Sequence, residues 1–153
     1  MNGCNINQSA CVGNTPLVWV ACNGHEEVVK ILLGRDDVNP NKTDEYSRTP
    51  LGWAAGSGHE GVVKLLLGRD DVNPDKLGEQ GRTPLWWASR NGHAGVVKML
   101  VCRDDANPNK PDQDGHTSLS RAACNEHEGV MKILLGRDDV SPDKPDESGQ
   151  TPL

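Results

Sequence analysis

A tripeptide returns at a fixed interval along this chain and constrains the fold more than any other feature. Thr-Pro-Leu, or once Thr-Ser-Leu, begins at Thr15, Thr49, Thr83, Thr117 and Thr151, a spacing of 34 residues each time. A fixed period of this length is typical of tandem units that stack on one another. We therefore predict repeat units at residues 15–48, 49–82, 83–116 and 117–150, with 1–14 as a partial preceding loop and 151–153 as the start of a truncated fifth unit.

Each unit has the pattern of a helix, a turn, a second helix and a long polar loop. The threonine is a good N-cap, and the proline after it suits the first helical position. Gly24, Gly58 and Gly92 suit the left-handed residue that follows a helix end. Apolar residues then recur at helical spacing and form one face of the second helix. Because helices this short are marginal alone, they must bury that face against neighbouring units, which predicts an all-α solenoid with a long open surface.

Composition and charge restrict the function classes. Leu, Val and Ile make up 31 of the 153 residues and Phe is absent. This aliphatic content is close to that of disordered chains. The residues nevertheless recur on one helix face, which indicates a folded chain. No apolar run approaches the ~20 residues of a membrane span. The net charge of −6 argues against nucleic-acid binding. An odd number of cysteines without a secretion signal predicts free thiols and a cytoplasmic protein, with the nucleus not excluded.

The segment from Thr49, which reads Thr-Pro-Leu-Gly-Trp-Ala-Ala-Gly-Ser-Gly-His-Glu-Gly-Val-Val-Lys-Leu-Leu-Leu, resembles the ankyrin repeat. A tetratricopeptide repeat has a similar period, but Thr-Pro-Leu and Gly-His at this spacing separate the two families. The likeness covers residues 15–150. It implies an ankyrin-repeat solenoid of helix-turn-helix pairs with hairpin-like loops. The variant with Trp in the first helix and Gly-Arg-Asp-Asp-Val-Asn-Pro is similar to arrays in fungal proteins. Because capping repeats with polar outer faces are absent and both ends carry incomplete units, a fragment of a longer array is expected.

The residues that could carry chemistry favour structural roles. The repeat histidines occur once per unit, and helix layers roughly 8–10 Å apart prevent two of them from sharing a metal ion. Asp71, Asn73 and Asp75 copy part of a calcium loop, but Lys76 and Arg82 occupy the places of the required Gly and Glu, which favours turn chemistry. The Arg-Asp-Asp triplets recur unchanged, which favours a stacking role over an acidic binding stripe. We expect no enzyme, no cofactor and no metal site.

Positions that differ between units are free to carry recognition, because all units need the same stacking residues. They lie at the end of the first helix and at the hairpin tip, which in ankyrin-like proteins face the concave groove. The candidate partner-binding residues are Tyr46, Arg48, Arg82, Trp86, Arg90, Asn91, Gln113, Asp114 and His116. Neutral drift at exposed sites is the competing explanation. Trp86 is either a binding anchor or a local core filler, and Tyr and Arg are favoured as hot-spot residues.

The resemblance implies a monomeric protein–protein interaction scaffold that binds a protein partner through the concave groove and loop tips, without nucleic acid, membrane or small-molecule substrate. The alternative is a structural spacer or regulatory arm of a larger protein, such as one in which the array follows a nucleotide-binding signalling domain. The fourth unit is expected to be the weakest, because Glu126 replaces the turn glycine and Arg121 replaces the recurring Trp.

Overall fold

The computed structural model describes residues 15–142, and within them the chain forms eight α-helices in four pairs, with no strand. The helices are α1 (Pro16–Cys22), α2 (Glu26–Leu33), α3 (Pro50–Ser57), α4 (Glu60–Leu67), α5 (Pro84–Arg90), α6 (Ala94–Val101), α7 (Ser118–Cys124) and α8 (Glu128–Leu135). A short 3-10 turn, Glu79–Gly81, precedes α5. The expected all-α solenoid of helix pairs is confirmed. None of these helices has the length and apolar character needed to cross a bilayer.

The first helix of every pair begins at its threonine, as the sequence predicts. The hydroxyl oxygen accepts a hydrogen bond from the backbone N–H three residues on, at 3.0–3.2 Å: Thr15 from Val18, Thr49 from Gly52, Thr83 from Trp86 and Thr117 from Ser120. A side chain that caps a helix in this way contributes roughly 1 kcal/mol. The start of each pair is therefore set by local chemistry.

The turn inside each pair is left-handed. Gly24, Gly58 and Gly92 have φ of 71°, 75° and 77°, and Glu126 adopts 58° at the same place in the fourth pair. The second helices end differently. The residues that follow them, Gly34, Gly68, Cys102 and Gly136, all have right-handed φ between −73° and −76°. A left-handed backbone therefore favours glycine at the inner turn, where only the fourth pair has another residue, but not at the end of the second helix, where Cys102 fits equally well.

The helices form two layers. The first helices α1, α3, α5 and α7 pack side by side, and α2, α4, α6 and α8 form a parallel row behind them. A thin apolar core runs between the rows, with Leu51, Leu85 and Leu100 almost fully buried. The large loops explain the low overall content of aliphatic residues.

The repeat histidine joins each pair to the one before it. Nε2 of His59 lies 2.9 Å from the carbonyl oxygen of Cys22, and His93 and His127 make the equivalent bonds one and two repeats further on. Since a carbonyl only accepts, Nε2 carries the proton. A Cβ on Gly24 would lie 2.7 Å from Nδ1 of His59, so the turn glycine is needed for this packing as well as for its backbone angle. The structural role expected for the histidines is confirmed.

The Arg-Asp-Asp triplet joins successive second helices. Nη1 of Arg69 donates to the carbonyl oxygen of Leu33 at 2.7 Å, and Arg103 donates to Leu67 at 3.0 Å. These carbonyls belong to the last turn of the preceding second helix, where no intrahelical donor remains. The same guanidinium binds the second aspartate of its own triplet with two bonds, which lowers the pKa of Asp71. The expected stacking role of the triplet is confirmed.

The loop asparagines form a third set of links. Asn41 donates through Nδ2 to the carbonyl oxygen of Asp71 at 2.6 Å and accepts at Oδ1 from the backbone N–H of Asn73 at 2.8 Å. Asn109 makes the same pair of bonds to the fourth repeat. Asp75 holds this position in the second repeat, where Oδ2 accepts from the backbone N–H of Asn107 at 2.9 Å. Its buried Oδ1 has no partner among the described residues.

The cysteines depart in part from the expectation of free thiols. Cys102 and Cys124 are free and exposed. Cys22 is disulfide-bonded. The prediction is therefore wrong for Cys22.

Candidate functional site

The hairpin tips that precede the first helices are built alike. In each tip the first residue donates its backbone N–H to the carbonyl of the fifth, at 3.1 Å for Asp44 to Arg48, 2.9 Å for Gly78 to Arg82, and 2.9 Å for Asp112 to His116. The fourth residue of each tip, which is Ser47, Gly81 or Gly115, has positive φ. This shared geometry places the fifth residue of every tip at the same point beside the first helices.

Three tryptophans form the floor of the surface beside these tips. Trp53 and Trp87 occupy the same position in α3 and α5 and are each 9% exposed, whereas Trp86 is only 1% exposed. The rings of Trp86 and Trp87 meet edge to face, with centroids 4.9 Å apart. Of the two interpretations of Trp86, its burial favours the local core filler. Its ring supports neighbouring side chains and offers no free face to a partner.

Four guanidinium groups lie over these indoles, and we call Arg48, Arg82, Arg90 and Arg121 the arginine cluster. Arg48 is sandwiched between two rings, with Cζ 4.0 Å from the centroid of Trp53 and 3.8 Å from that of Trp87. Over Trp86, Cζ of Arg82 lies at 4.5 Å, that of Arg121 at 5.2 Å and that of Arg90 at 5.8 Å. Cation–π contacts of this kind favour a fixed, charged guanidinium.

Two buried aspartates support the tips. Asp44 accepts hydrogen bonds from the backbone N–H groups of Tyr46 and Arg48 and, at 2.6 Å, from Nε1 of Trp53. Asp112 accepts from two backbone N–H groups in its own tip. Its Oδ2 also lies 3.4 Å from Nη2 of Arg121. Arg121 stands in the fourth repeat where Trp53 stands in the second, so the side chain that contacts the buried aspartate is a cation there and a neutral indole in the second repeat.

The second repeat lacks this aspartate. Gly78 holds the equivalent position, and Nε1 of Trp87 has no hydrogen-bond acceptor within the described part of the chain. The nearest charged group is Arg48, whose guanidinium stacks on the Trp87 ring. The loss of the carboxylate removes both an acceptor and a negative charge at the centre of the arginine cluster.

Several buried polar atoms beneath this surface lack a hydrogen-bond partner in the described part of the chain, and most of them are donors. Within residues 15–142, the buried side-chain polar atoms without a partner include Nε of Arg48, Arg82 and Arg121, Nε1 of Trp86 and Trp87, and Oγ of Ser89. Burial lowers the pKa of Arg48; Asp44 and Glu79 act against this shift, while the nearby cations Arg82 and Arg90 add to it. Oδ2 of Asp112 lies at ion-pair distance from two arginines, 3.4 Å from Nη2 of Arg121 and 4.0 Å from Nε of Arg82. The described residues offer no ion-pair partner to Arg48 or Arg90.

Asp112, Asp114 and His116 bring three potential ligand atoms within 4.8 Å of one another. This group is poorly suited to a cation. Oδ1 of Asp112 already accepts two backbone hydrogen bonds, and Nδ1 of His116 lies 2.9 Å from Nη2 of Arg121. The guanidiniums beside it would repel a metal ion. The group therefore stabilises the third hairpin tip.

The remaining candidate residues lie at the edges of this surface. Tyr46 is half-buried against Trp53. Asn91 donates from Nδ2 to the carbonyl oxygen of Gly56 at 2.7 Å, and the backbone N–H of Gln113 donates to Gln80 of the preceding tip at 2.9 Å. Asp114 is exposed. Arg48, Arg82, Trp86 and Arg90 meet in one cluster, and His116 joins it through Arg121. The sequence shows that Arg121 replaces the recurring Trp, but it does not place this arginine in the site.

A family model described as ankyrin repeats, three copies, matches residues 1–77, 37–112 and 70–146. The chain therefore belongs to the ankyrin-repeat family. Ankyrin repeats are generally protein–protein interaction modules and are typically non-catalytic. No curated protein matches the chain.

Proposed function

We propose that this chain recognises a protein partner through the surface formed by its hairpin tips and first helices, and that it acts as a monomer. The observation that carries the proposal is the arginine cluster on its tryptophan floor, where four guanidinium groups lie within 6 Å of the ring centroids of Trp86 or Trp87. Stacked arginines resemble binding hot spots, because their planar groups are already ordered and lose little entropy on binding. The open row of first helices gives an extended segment room to contact several repeats.

The proposal assigns roles to the nine candidate residues. Arg48, Arg82 and Arg90 contact the partner, and Trp86 holds them from below. Tyr46, Asn91 and the tip residues Gln113, Asp114 and His116 border the contact. A partner contact is a stronger explanation than neutral drift, since unrelated drift would not bring four arginines around two adjacent indoles.

The test compares two variants of the whole 153-residue chain. The first carries Tyr46→Ala, Arg48→Gln, Arg82→Gln and Arg90→Gln. The second, a matched control with as many changes, replaces the exposed lysines of the second helices: Lys30→Gln, Lys64→Gln, Lys98→Gln and Lys132→Gln. Circular dichroism checks that both keep their helices. We expect proteins captured from cell extract by the wild type to be retained by the control and lost with the first variant.

The second candidate function is a structural spacer or regulatory arm of a larger protein. The arginines also stack between repeats, as Arg48 does between Trp53 and Trp87, so they would stabilise an array that binds nothing. In that case capture is unchanged in both variants while the first variant melts at a lower temperature. Capture that depends on the second-helix lysines would contradict both candidates.

A further inference from the structure

We infer that the partner segment carries carboxylate side chains and places them on the arginine cluster. The inference rests on the proposed function and adds the chemistry of the ligand. It follows from the local excess of cations and donors within a chain whose net charge is −6.

The charge count around the two central indoles supports this inference. Four guanidinium carbons lie within 6 Å of the centroid of Trp86 or Trp87. Three carboxylates lie nearby: Asp44 and the exposed Glu79 both raise the pKa of Arg48, although the oxygens of Asp44 already accept hydrogen bonds from Trp53 and backbone N–H groups. Asp112 is shared between Arg82 and Arg121. Arg48 and Arg90 are left with no carboxylate at ion-pair distance among the described residues.

The geometry of Arg48 suits a carboxylate better than another ligand group. Its Cζ lies about 4 Å from the ring centroids of both Trp53 and Trp87 and its Nε is buried, so a ligand would approach the edge formed by the two terminal Nη groups. That edge presents paired N–H donors, which match the two oxygens of a carboxylate. The partial burial that lowers the pKa of Arg48 also removes competing water, which strengthens an ion pair formed there.

One acidic residue of the second hairpin tip, Glu79, would repel a ligand carboxylate that approaches the arginine cluster. Glu79 is exposed and close enough to Arg48 to raise its pKa. A ligand carboxylate must therefore reach Arg48 and Arg90 while it passes Glu79. This predicts that Glu79→Gln strengthens the binding of an acidic segment, and that it weakens the binding of a basic one.

The experiment selects binders to the full chain from a library of random short peptides. The best binder is then made as a labelled synthetic peptide, together with a copy in which Asp and Glu are replaced by Asn and Gln. Fluorescence anisotropy measures both against the wild type, Arg90→Gln, Arg48→Lys and Glu79→Gln. Arg90→Gln tests the inference even if changes at Arg48 impair folding, because Arg90 is exposed.

We expect selected peptides rich in Asp and Glu, and affinity that falls roughly tenfold or more when a peptide carboxylate or a cluster guanidinium is removed. Arg48→Lys should also weaken binding, since a lysine cannot form two parallel hydrogen bonds. Peptides that bind the cluster but show no enrichment in acidic residues would overturn the inference and leave the proposed function standing. Peptides that bind wild type and Arg90→Gln equally would overturn both. Tighter binding of single-stranded DNA than of the acidic peptide would assign the cluster to phosphate instead.

Discussion

Asp75→Asn should stabilise the protein, because it restores a link between repeats that the aspartate cannot make. The amides of Asn41 and Asn109 both accept and donate across the repeat boundary, whereas a carboxylate only accepts. Oδ1 of Asp75 is buried without a partner, and burial raises the pKa of this carboxyl. An asparagine would turn its Nδ2 towards the carbonyl oxygen of the following repeat, at the position where Asn41 reaches Asp71.

The expected gain in stability follows from two changes at the position of Oδ1 of Asp75. Leaving a buried acceptor unpaired costs about 1–3 kcal/mol, and a restored hydrogen bond contributes about 0.5–1.5 kcal/mol. Asp75 is only partly buried, and its weak attraction to Lys110 is lost in the variant. We therefore expect a net gain of roughly 1–2 kcal/mol at neutral pH, which corresponds to a rise in Tm of about 2–8 °C.

The gain should depend on pH. Because the folded-state pKa of Asp75 is raised, the folded protein holds the proton more tightly than the unfolded chain does. The stability of the wild type therefore falls as pH rises from the ordinary carboxyl range through the raised value, and it stays lower above it. The advantage of Asp75→Asn should be fully present at pH 7, shrink as the pH falls through the raised pKa of Asp75, and reach its minimum below roughly pH 4.

Urea denaturation at several pH values measures these differences. Asn41→Asp and Asn109→Asp are the matched controls, and both should destabilise the protein at pH 7 because each loses its donor to a carbonyl. An Asp75→Asn variant that is no more stable than the wild type at pH 7 would refute the reasoning, as would control variants that keep full stability.

Three further substitutions test other parts of the account by thermal melting. Gly78→Asp should be about 1 kcal/mol more stable than Gly78→Ala, because its carboxylate gives Nε1 of Trp87 an acceptor while both variants place a Cβ 3.3 Å from the carbonyl oxygen of Ser47. Glu126→Gly should stabilise the fourth repeat by about 1 kcal/mol and slow its amide exchange, because it relieves a positive φ; unchanged exchange would argue against strain there. Gly129→Ala would place its Cβ in ordinary contact with Ala94, 3.8 Å away, and should add about 0.5–1 kcal/mol of helix stability, whereas Gly95→Ala meets a glutamate of the preceding repeat and should gain less.

The helix pairs could be predicted from the sequence because their boundaries are set by local chemistry. A threonine followed by proline starts the first helix, and a glycine that tolerates left-handed φ ends it. The contacts between repeats could not be predicted in the same way. Asn41 and Asp71 are 30 residues apart, and the hydrogen bond between them depends on how far each repeat is shifted along the stack. The repeat pattern indicated a stacking role for such residues without identifying the bonds.

The candidate surface was predicted in part. Differences between repeats identified Arg48, Arg82 and Arg90, which do meet in one cluster. They did not identify Arg121, because its place in the site depends on the buried Asp112 of the preceding hairpin tip. Trp86 also varied between repeats, yet it is buried, since a large side chain at that position fills the space between the arginines and the core. Variation therefore marked the surface but could not separate contact residues from the residues that support them.

The most direct measurement of the proposed binding surface is hydrogen–deuterium exchange of the full chain with and without a captured partner. Protection from exchange is expected in the first helices α3, α5 and α7 and in the hairpin tip that precedes each of them, over residues 44–57, 78–90 and 112–124. The second helices α4, α6 and α8 should exchange as they do in the free chain. Protection confined to those second helices, or no change anywhere, would contradict the claim that the arginine cluster is where the partner binds.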